Sequence, residues 1–186
     1  MIFFHGTSIV AMNSILKKID PNINANTELD YGKGFYGSLE KDIKYAKRHA
    51  IKVTKDSLGR KHCLENAILV KCELDESQAK NPKYILKRDD SFIDFVFETR
   101  QNYLVEDLSF DYIKGPMADG NVDSLMSFYK RHTNNFVKKY VKWCYKLPFN
   151  KHEQIVVKSQ ELCDLIRIIE IRNMKGGILY AKDKED

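Results

Sequence analysis

Residues 1–36, MIFFHGTSIVAMNSILKKIDPNINANTELDYGKGFY, carry the pattern from which the fold is read. Ile2 to His5 is a short apolar strand that runs directly into Gly6. Ser8 then stands where a helix N-cap belongs, because Ile9, Met12, Ile15, Leu16 and Ile19 recur on one helical face through Lys18. Asp20-Pro21 ends that helix, since the residue before proline is driven out of the helical region. An Asn-rich loop follows over 20–31, and the glycines Gly32 and Gly34 lead into a second short strand, Gly34 to Gly37. Strand, helix, loop and strand follow one another here without the repeated βα unit of a doubly wound sheet.

The rest of the chain continues in the same mixed style. A helix is expected over Leu39 to Val53, with Ile43, Ala46, Ala50 and Val53 on its inner face, and a polar connection over Thr54 to Glu65. Ala67 to Leu74 (AILVKCEL) reads as a strand, and Asp90 to Asn102 as a helix with Phe92, Phe95 and Val96 inward. A strand over Phe110 to Ile113 and a Gly115-Pro116 turn come next. A strand over Gln154 to Lys158, a short helix over Ser159 to Asp164, a strand over Leu165 to Ile171 and a last strand over Gly176 to Tyr180 close the pattern. The fold class is therefore α+β, in one domain of residues 1–186.

Composition bounds the function. At 43% hydrophobic and 31% charged residues, without any single-residue or Gly/Ser/Pro tract, the chain can build a core and is not a disordered segment. No apolar run approaches the roughly 20 residues that span a bilayer, and MIFFHGTSIVAM lacks the basic start and apolar stretch of a secretory signal. A soluble, cytoplasmic protein without a membrane partner is expected. Cys63, Cys72, Cys144 and Cys163 form no CxxC pair and read as reduced, buried thiols. His5, His49, His62, His132 and His152 fall in no HxxxH or HExxH spacing, so no metal is expected.

The net charge of +5 is unevenly spread. No acidic residue lies between Asp123 and Glu153, whereas Lys130, Arg131, Lys138, Lys139, Lys142, Lys146 and Lys151 do. Phe128, Tyr129, Phe136, Tyr140, Trp143, Tyr145 and Phe149 interleave with them. Leu125, Phe128 or Tyr129, His132, Phe136 and Tyr140 recur at helical spacing, which makes the aromatics core and the lysines a solvated face. The same block would suit an acidic protein or a nucleic-acid backbone with stacking bases.

Three segments carry chemistry: His5-Gly6-Thr7 at the end of an apolar strand, Asp30-Tyr31-Gly32-Lys33-Gly34-Phe35-Tyr36, and His152-Glu153-Gln154-Ile155-Val156-Val157. In this order they resemble the His-Tyr-Glu class of the ADP-ribosyltransferase superfamily, that of diphtheria toxin and the poly(ADP-ribose) polymerases. The likeness covers the first fifty residues well and the last forty moderately. The chain also resembles a bacterial, toxin-like branch with a GKGFY strand and a Gly-Pro-x-Ala-Asp turn, here Gly115-Pro116-Met117-Ala118-Asp119. In that branch a small antitoxin-like neighbour is common.

The resemblance implies two small β-sheets flanked by helices, with an NAD cleft between them, and NAD as co-substrate. It implies a mono-ADP-ribosyltransferase that passes ADP-ribose to a protein or nucleic-acid acceptor and releases nicotinamide. His5 would bond a ribose hydroxyl, Gly6 would let the backbone approach the nicotinamide carboxamide, and Thr7, Gly34 and Phe35 would complete the binding segments. Tyr36 would stack on the nicotinamide, with Tyr45 or His49, four apart on one helix face, on its other side. Glu153 would hold the ribose 2′-hydroxyl and relieve charge at C1′. Glu153 and Gln154 are adjacent and face opposite ways on a strand, and members of the bacterial branch tend to carry Gln directly before the apolar run, so both stand as candidates. Asp94, Arg100 and Asp119 lie in segments typical of the branch. Two other readings remain: a non-catalytic NAD- or nucleic-acid-binding module of the same fold, and an NAD-dependent RNA 2′-phosphotransferase.

Overall fold

The computed structural model describes residues 1–23, 30–86, 110–117 and 152–181, together with 91, 92, 95, 96 and 99. The basic block over 124–151, His132, Cys144, Asp94, Arg100 and Asp119 lie outside the described residues.

The opening strand β1 spans Ile2–Ser8 and the first helix α1 Ile9–Lys17. Ser8 stands at the N-cap with extended dihedrals, but its side chain makes no capping bond. It is held instead as the last residue of β1, opposite Ala67, and is buried. Ile9, Met12 and Ile15 of α1 pack on the main core, and Ile19, just past the helix, is buried in it.

Strand β2, Phe35–Leu39, runs two residues beyond the expected end. A 3-10 turn, Glu40–Asp42, leads into α2, Ile43–Leu58. The expected helix was too short at its C-terminus and the connection too long. Thr54 extends the buried stripe of Ala46 and Ala50 by one more turn, and its hydroxyl donates to the Asn66 carbonyl at 3.3 Å. The short helix α3, Cys63–Asn66, then sits beneath it, with the buried Cys63 thiol against the Ile51 carbonyl. Strand β3 is Ala67–Glu73 and β4 is Pro82–Tyr84, three residues with no hydrophobic period to announce them. The described residues of the expected 90–102 helix are helical, with Phe92 and Val96 buried and Phe95 half-buried. Strand β5 is Tyr112–Pro116, β6 Glu153–Val157, α4 Gln160–Asp164, β7 Arg167–Asn173 and β8 Ile178–Ala181. The Ser159 hydroxyl accepts from the Leu162 N–H at 3.2 Å and caps α4.

These strands form one eight-stranded sheet in the order β4-β5-β6-β2-β1-β3-β7-β8, and this corrects the expectation of two small sheets. The α+β class stands. Among the described strands only β4 and β5 pair in parallel. The two halves are nonetheless weakly joined. β1 pairs with β3 along its full length, from Ile2–Glu73 to Ser8–Ala67, but with β2 only at Phe3–Leu39 and Phe4–Ser38. Past Phe4 the strands diverge, and β2 continues with β6 alone, from Ser38–Gln154 to Phe35–Val157.

The junction is pinned by a size match: a Cβ on Gly37 would meet the Phe3 ring at 2.3 Å, so the ring fills the space that glycine leaves. One face of the sheet carries Phe3, Phe35, Ile68, Val70, Cys72, Tyr112, Ile155 and Val157 into the main core beneath α1 and α4. The other face carries Phe4 and Leu69 beneath Ala46 of α2. Among the described residues Cys63, Cys72 and Cys163 are free and buried, and burial pushes the Cys163 thiol up to about 12. No described helix is long and apolar enough to cross a membrane, and no group of three or more described His, Cys, Asp or Glu could hold a metal ion.

Candidate functional site

The divergence of β1 from β2 opens the sheet at the segments singled out in the sequence. His5 spans the opening. Its Nδ1 lies 2.8 Å from the Tyr36 carbonyl oxygen, and its ring stacks on Phe35 at 4.4 Å between centroids with 27° between planes. A carbonyl only accepts, so Nδ1 carries the hydrogen and Nε2 keeps a lone pair. Burial pushes the His5 pKa down to about 4, partly countered by the Tyr36 carbonyl and reinforced by the His49 charge. His5 is therefore neutral near pH 7.

This has a consequence for stability. Between about pH 4 and 6.5 the unfolded chain holds the proton and the folded chain does not, so folding stability rises with pH across that window. On going from pH 7 down to 4, His5 alone should remove roughly 3 kcal/mol, lost progressively below 6.5. His5→Asn keeps an N–H near the Tyr36 carbonyl without titrating. Denaturant midpoints measured from pH 4 to 7 should fall less steeply toward acid for this variant than for wild type.

Gly6 is glycine for a reason other than the one the resemblance implies. A Cβ there would lie 1.9 Å from the Ala46 carbonyl oxygen, so α2 rests directly on the β1 backbone. Thr7 is buried in the ladder opposite Ile68.

The glycine segment builds a rigid turn around Tyr36. Gly32 takes a left-handed φ of 71°, and at Gly34 a Cβ would strike the Val156 side chain at 2.3 Å and the Val157 carbonyl at 2.9 Å. The Tyr36 hydroxyl donates to the Gly32 carbonyl at 2.7 Å and accepts from the Tyr31 N–H at 3.0 Å. Tyr31 is fully buried; its hydroxyl donates to the Pro116 carbonyl at 2.6 Å, and Lys158 Nζ donates to its carbonyl at 2.7 Å. The turn thus ties β2 to β5 and β6 and fixes the Tyr36 ring, which is half-buried, while Phe35 is buried in the core.

Register separates the two candidates on β6. Gln154 faces Ser38 and Val156 faces Tyr36, so Gln154 shares a sheet face with Tyr36, and Glu153 lies on the other face. Gln154 is buried, and its Nε2 donates to Asp30 Oδ2 at 3.0 Å. Because that carboxylate only accepts, the Gln154 amide is oriented with its oxygen turned away from Asp30. Glu153 is more than one-third exposed and paired with Lys41 at 2.6 Å.

Helix α2 supplies the third side. Tyr45 lies with its ring 4.6 Å from His152, tilted by 51°, beneath Lys44 and Arg48. His49 is open to solvent on one side, yet burial and then the Lys52 charge hold its pKa below the usual histidine value, and its own charge is felt at His5. Tyr45 therefore sits toward β6 and His49 toward β1.

Asp42 was not legible as a site residue. It is buried at the end of the 3-10 turn; Oδ1 bonds His152 Nδ1 at 2.7 Å and Oδ2 accepts the Glu153 N–H at 2.8 Å. The two partners lie 110 and 111 positions away, so no local signal marks the contact. Asp30 and Tyr31 were visible only as part of the glycine segment.

Comparison with known proteins found one family and nothing beyond it. No curated protein and no solved structure matches the chain. Residues 1–168 match the model of a family described as protein of unknown function, DUF3990. That span takes in β1 through α4 and every residue of the opening described above, so the chain belongs to the DUF3990 family.

Proposed function

We propose that this protein is an NAD-dependent mono-ADP-ribosyltransferase that acts on a macromolecular acceptor inside the cell, as a toxin of the toxin–antitoxin or defence type. The observation that carries the reading is the parting of β1 from β2 after Phe4–Ser38, with His5, on the face of Phe35, bonded across it to the Tyr36 backbone, and with the braced Tyr36 and buried Gln154 together on the other face. In the reaction the C1′–nitrogen bond of NAD breaks and its electron pair leaves with nicotinamide. A bond from C1′ to an acceptor nucleophile forms, and the nucleophile gives up its proton. The departing ring is already cationic, so the protein has to orient the sugar, relieve charge at C1′ and exclude water.

His5 Nε2 suits a ribose hydroxyl, which it accepts from. Tyr36 provides a ring for the nicotinamide cation, and Tyr45 or His49 closes on it from α2. The Gln154 oxygen, turned away from Asp30, is a second acceptor for a ribose hydroxyl. Lys44 and Arg48 near Tyr45 suit the NAD diphosphate.

The test uses NAD labelled on its adenosine half, a bacterial lysate as acceptor, and free nicotinamide as a second readout. Wild type is expected to release nicotinamide and label a protein or nucleic-acid band. Tyr36→Ala should lose about 10- to 100-fold of both, since stacking of a ring on a cation contributes about 1–2 kcal/mol and the turn loses its hydroxyl anchor. Folded wild type that neither releases nicotinamide nor transfers label overturns the reading.

One observation favours a second reading. With Gln154 rather than a carboxylate beside Tyr36, the anionic contribution at C1′ is absent, which suits a module that binds NAD without turnover. A rise in melting temperature with NAD but no nicotinamide release supports that alternative.

A further inference from the structure

We infer that His152, held by Asp42, is the proton acceptor for the incoming nucleophile, and that the acceptor is therefore a protic group, a hydroxyl or nitrogen, rather than a carboxylate. The inference rests on the transferase reading above.

The geometry is that of an oriented base. Asp42 is buried, and its two oxygens take the His152 Nδ1–H and the Glu153 N–H. A carboxylate only accepts, so Nδ1 carries the hydrogen that Asp42 takes, and Nε2 is the ring position left to exchange a proton with a substrate. Tyr45 packs against the ring and limits its rotation. Among the described residues Nε2 has no hydrogen-bond partner, and the side chain is about one-fifth exposed, so a substrate atom can reach it. The surrounding charged groups are Asp42, Glu153 with its partner Lys41, and Lys44 and Arg48 over Tyr45.

Position supports the role. The Met117 N–H donates to the His152 carbonyl at 2.8 Å, so the β5–β6 ladder reaches His152 and alternation puts it on the face of Gln154 and Tyr36. Two residues of strand separate His152 from Gln154 by about 7 Å. As C1′ bonds to the nucleophile and nicotinamide leaves with its electron pair, the nucleophile's proton passes to His152 Nε2 and then to water. A carboxylate acceptor would bring no proton and would need no such residue. Asp42 is a positioning residue that acts through His152.

The experiment follows nicotinamide release from NAD, in buffer with water as nucleophile and in bacterial lysate, from pH 5 to 9. His152→Asn preserves a donor to Asp42 but has no atom at the Nε2 position. It is expected to reduce both rates by about 10²-fold or more and to leave the KM for NAD within about threefold. His152→Ala should recover activity on addition of imidazole. Asp42→Asn should reduce the rate less than His152→Asn, with the KM for NAD unchanged within about threefold. Active wild type beside a His152→Asn variant within threefold of it, or a His152→Ala variant that imidazole does not restore, overturns the assignment. Wild type that releases no nicotinamide overturns the transferase reading and this role together.

Discussion

Gly6→Ala is expected to destabilise the fold by about 3 kcal/mol or more, because a Cβ there makes a shorter contact than at any other described glycine. Its Cβ would stand 1.9 Å from the Ala46 carbonyl oxygen, 2.8 Å from the carbonyl carbon and 3.0 Å from the Ala50 N. All three are backbone atoms of α2, so no rotamer change can relieve the contact and the helix has to move off the strand. Overpacking of a core usually costs about 1–3 kcal/mol where side chains can adjust, and here they cannot. Displacing α2 also opens the small core of Phe4, Ala46 and Leu69 and moves Tyr45 and His49 away from the opening. Denaturant titration should show a midpoint well below that of wild type, with nicotinamide release reduced as well. A variant within about 1 kcal/mol of wild type would mean that α2 rides higher over β1 than described.

The second large effect separates neighbours on β6. Gln154→Ala should lower nicotinamide release about 10²-fold, whereas Glu153→Ala should change it by no more than about threefold. Misplacing the sugar by loss of a group that orients it costs about 10² in rate. Loss of a half-exposed ion pair costs at most about 1 kcal/mol of stability and leaves the opposite sheet face untouched. Gln154→Glu is not a rescue: it would set a second carboxylate against Asp30 and lose the amide donor that now bonds it. Rates of the three variants, compared at equal folded fraction, decide the matter. A Glu153→Ala variant as impaired as Gln154→Ala would restore the carboxylate to the role that the family resemblance implies.

Much of the local structure was legible in the residues themselves. The apolar run at Ile2–His5, the 3.6-residue recurrence of Ile9, Met12 and Ile15, and the apolar run Ala67–Leu74 each determined their own element, because burial periodicity is a local property. Boundaries were less legible. Thr54 reads as polar and ends a helix on paper, yet it is buried because Asn66 accepts its hydroxyl hydrogen. Strand β4 has three residues, and only the neighbouring Tyr112–Lys114 makes it a strand.

The site divides in the same way. His5, Gly6, Tyr36 and the Glu153-Gln154 pair were visible by residue type and order, as the groups that the proposed chemistry would use. Three matters were decided by tertiary structure alone. Whether the strands make two sheets or one depends on two residue pairs between β1 and β2, and pairing across a loop leaves no trace in either strand. Which of Glu153 and Gln154 shares a face with Tyr36 depends on register, where a shift of one residue would exchange them. The Asp42–His152 pair joins residues 110 positions apart, so it exists only once β2 and β6 lie side by side. By itself the sequence determined which groups the protein can bring to a site; chain pairing in space determined which of them meet.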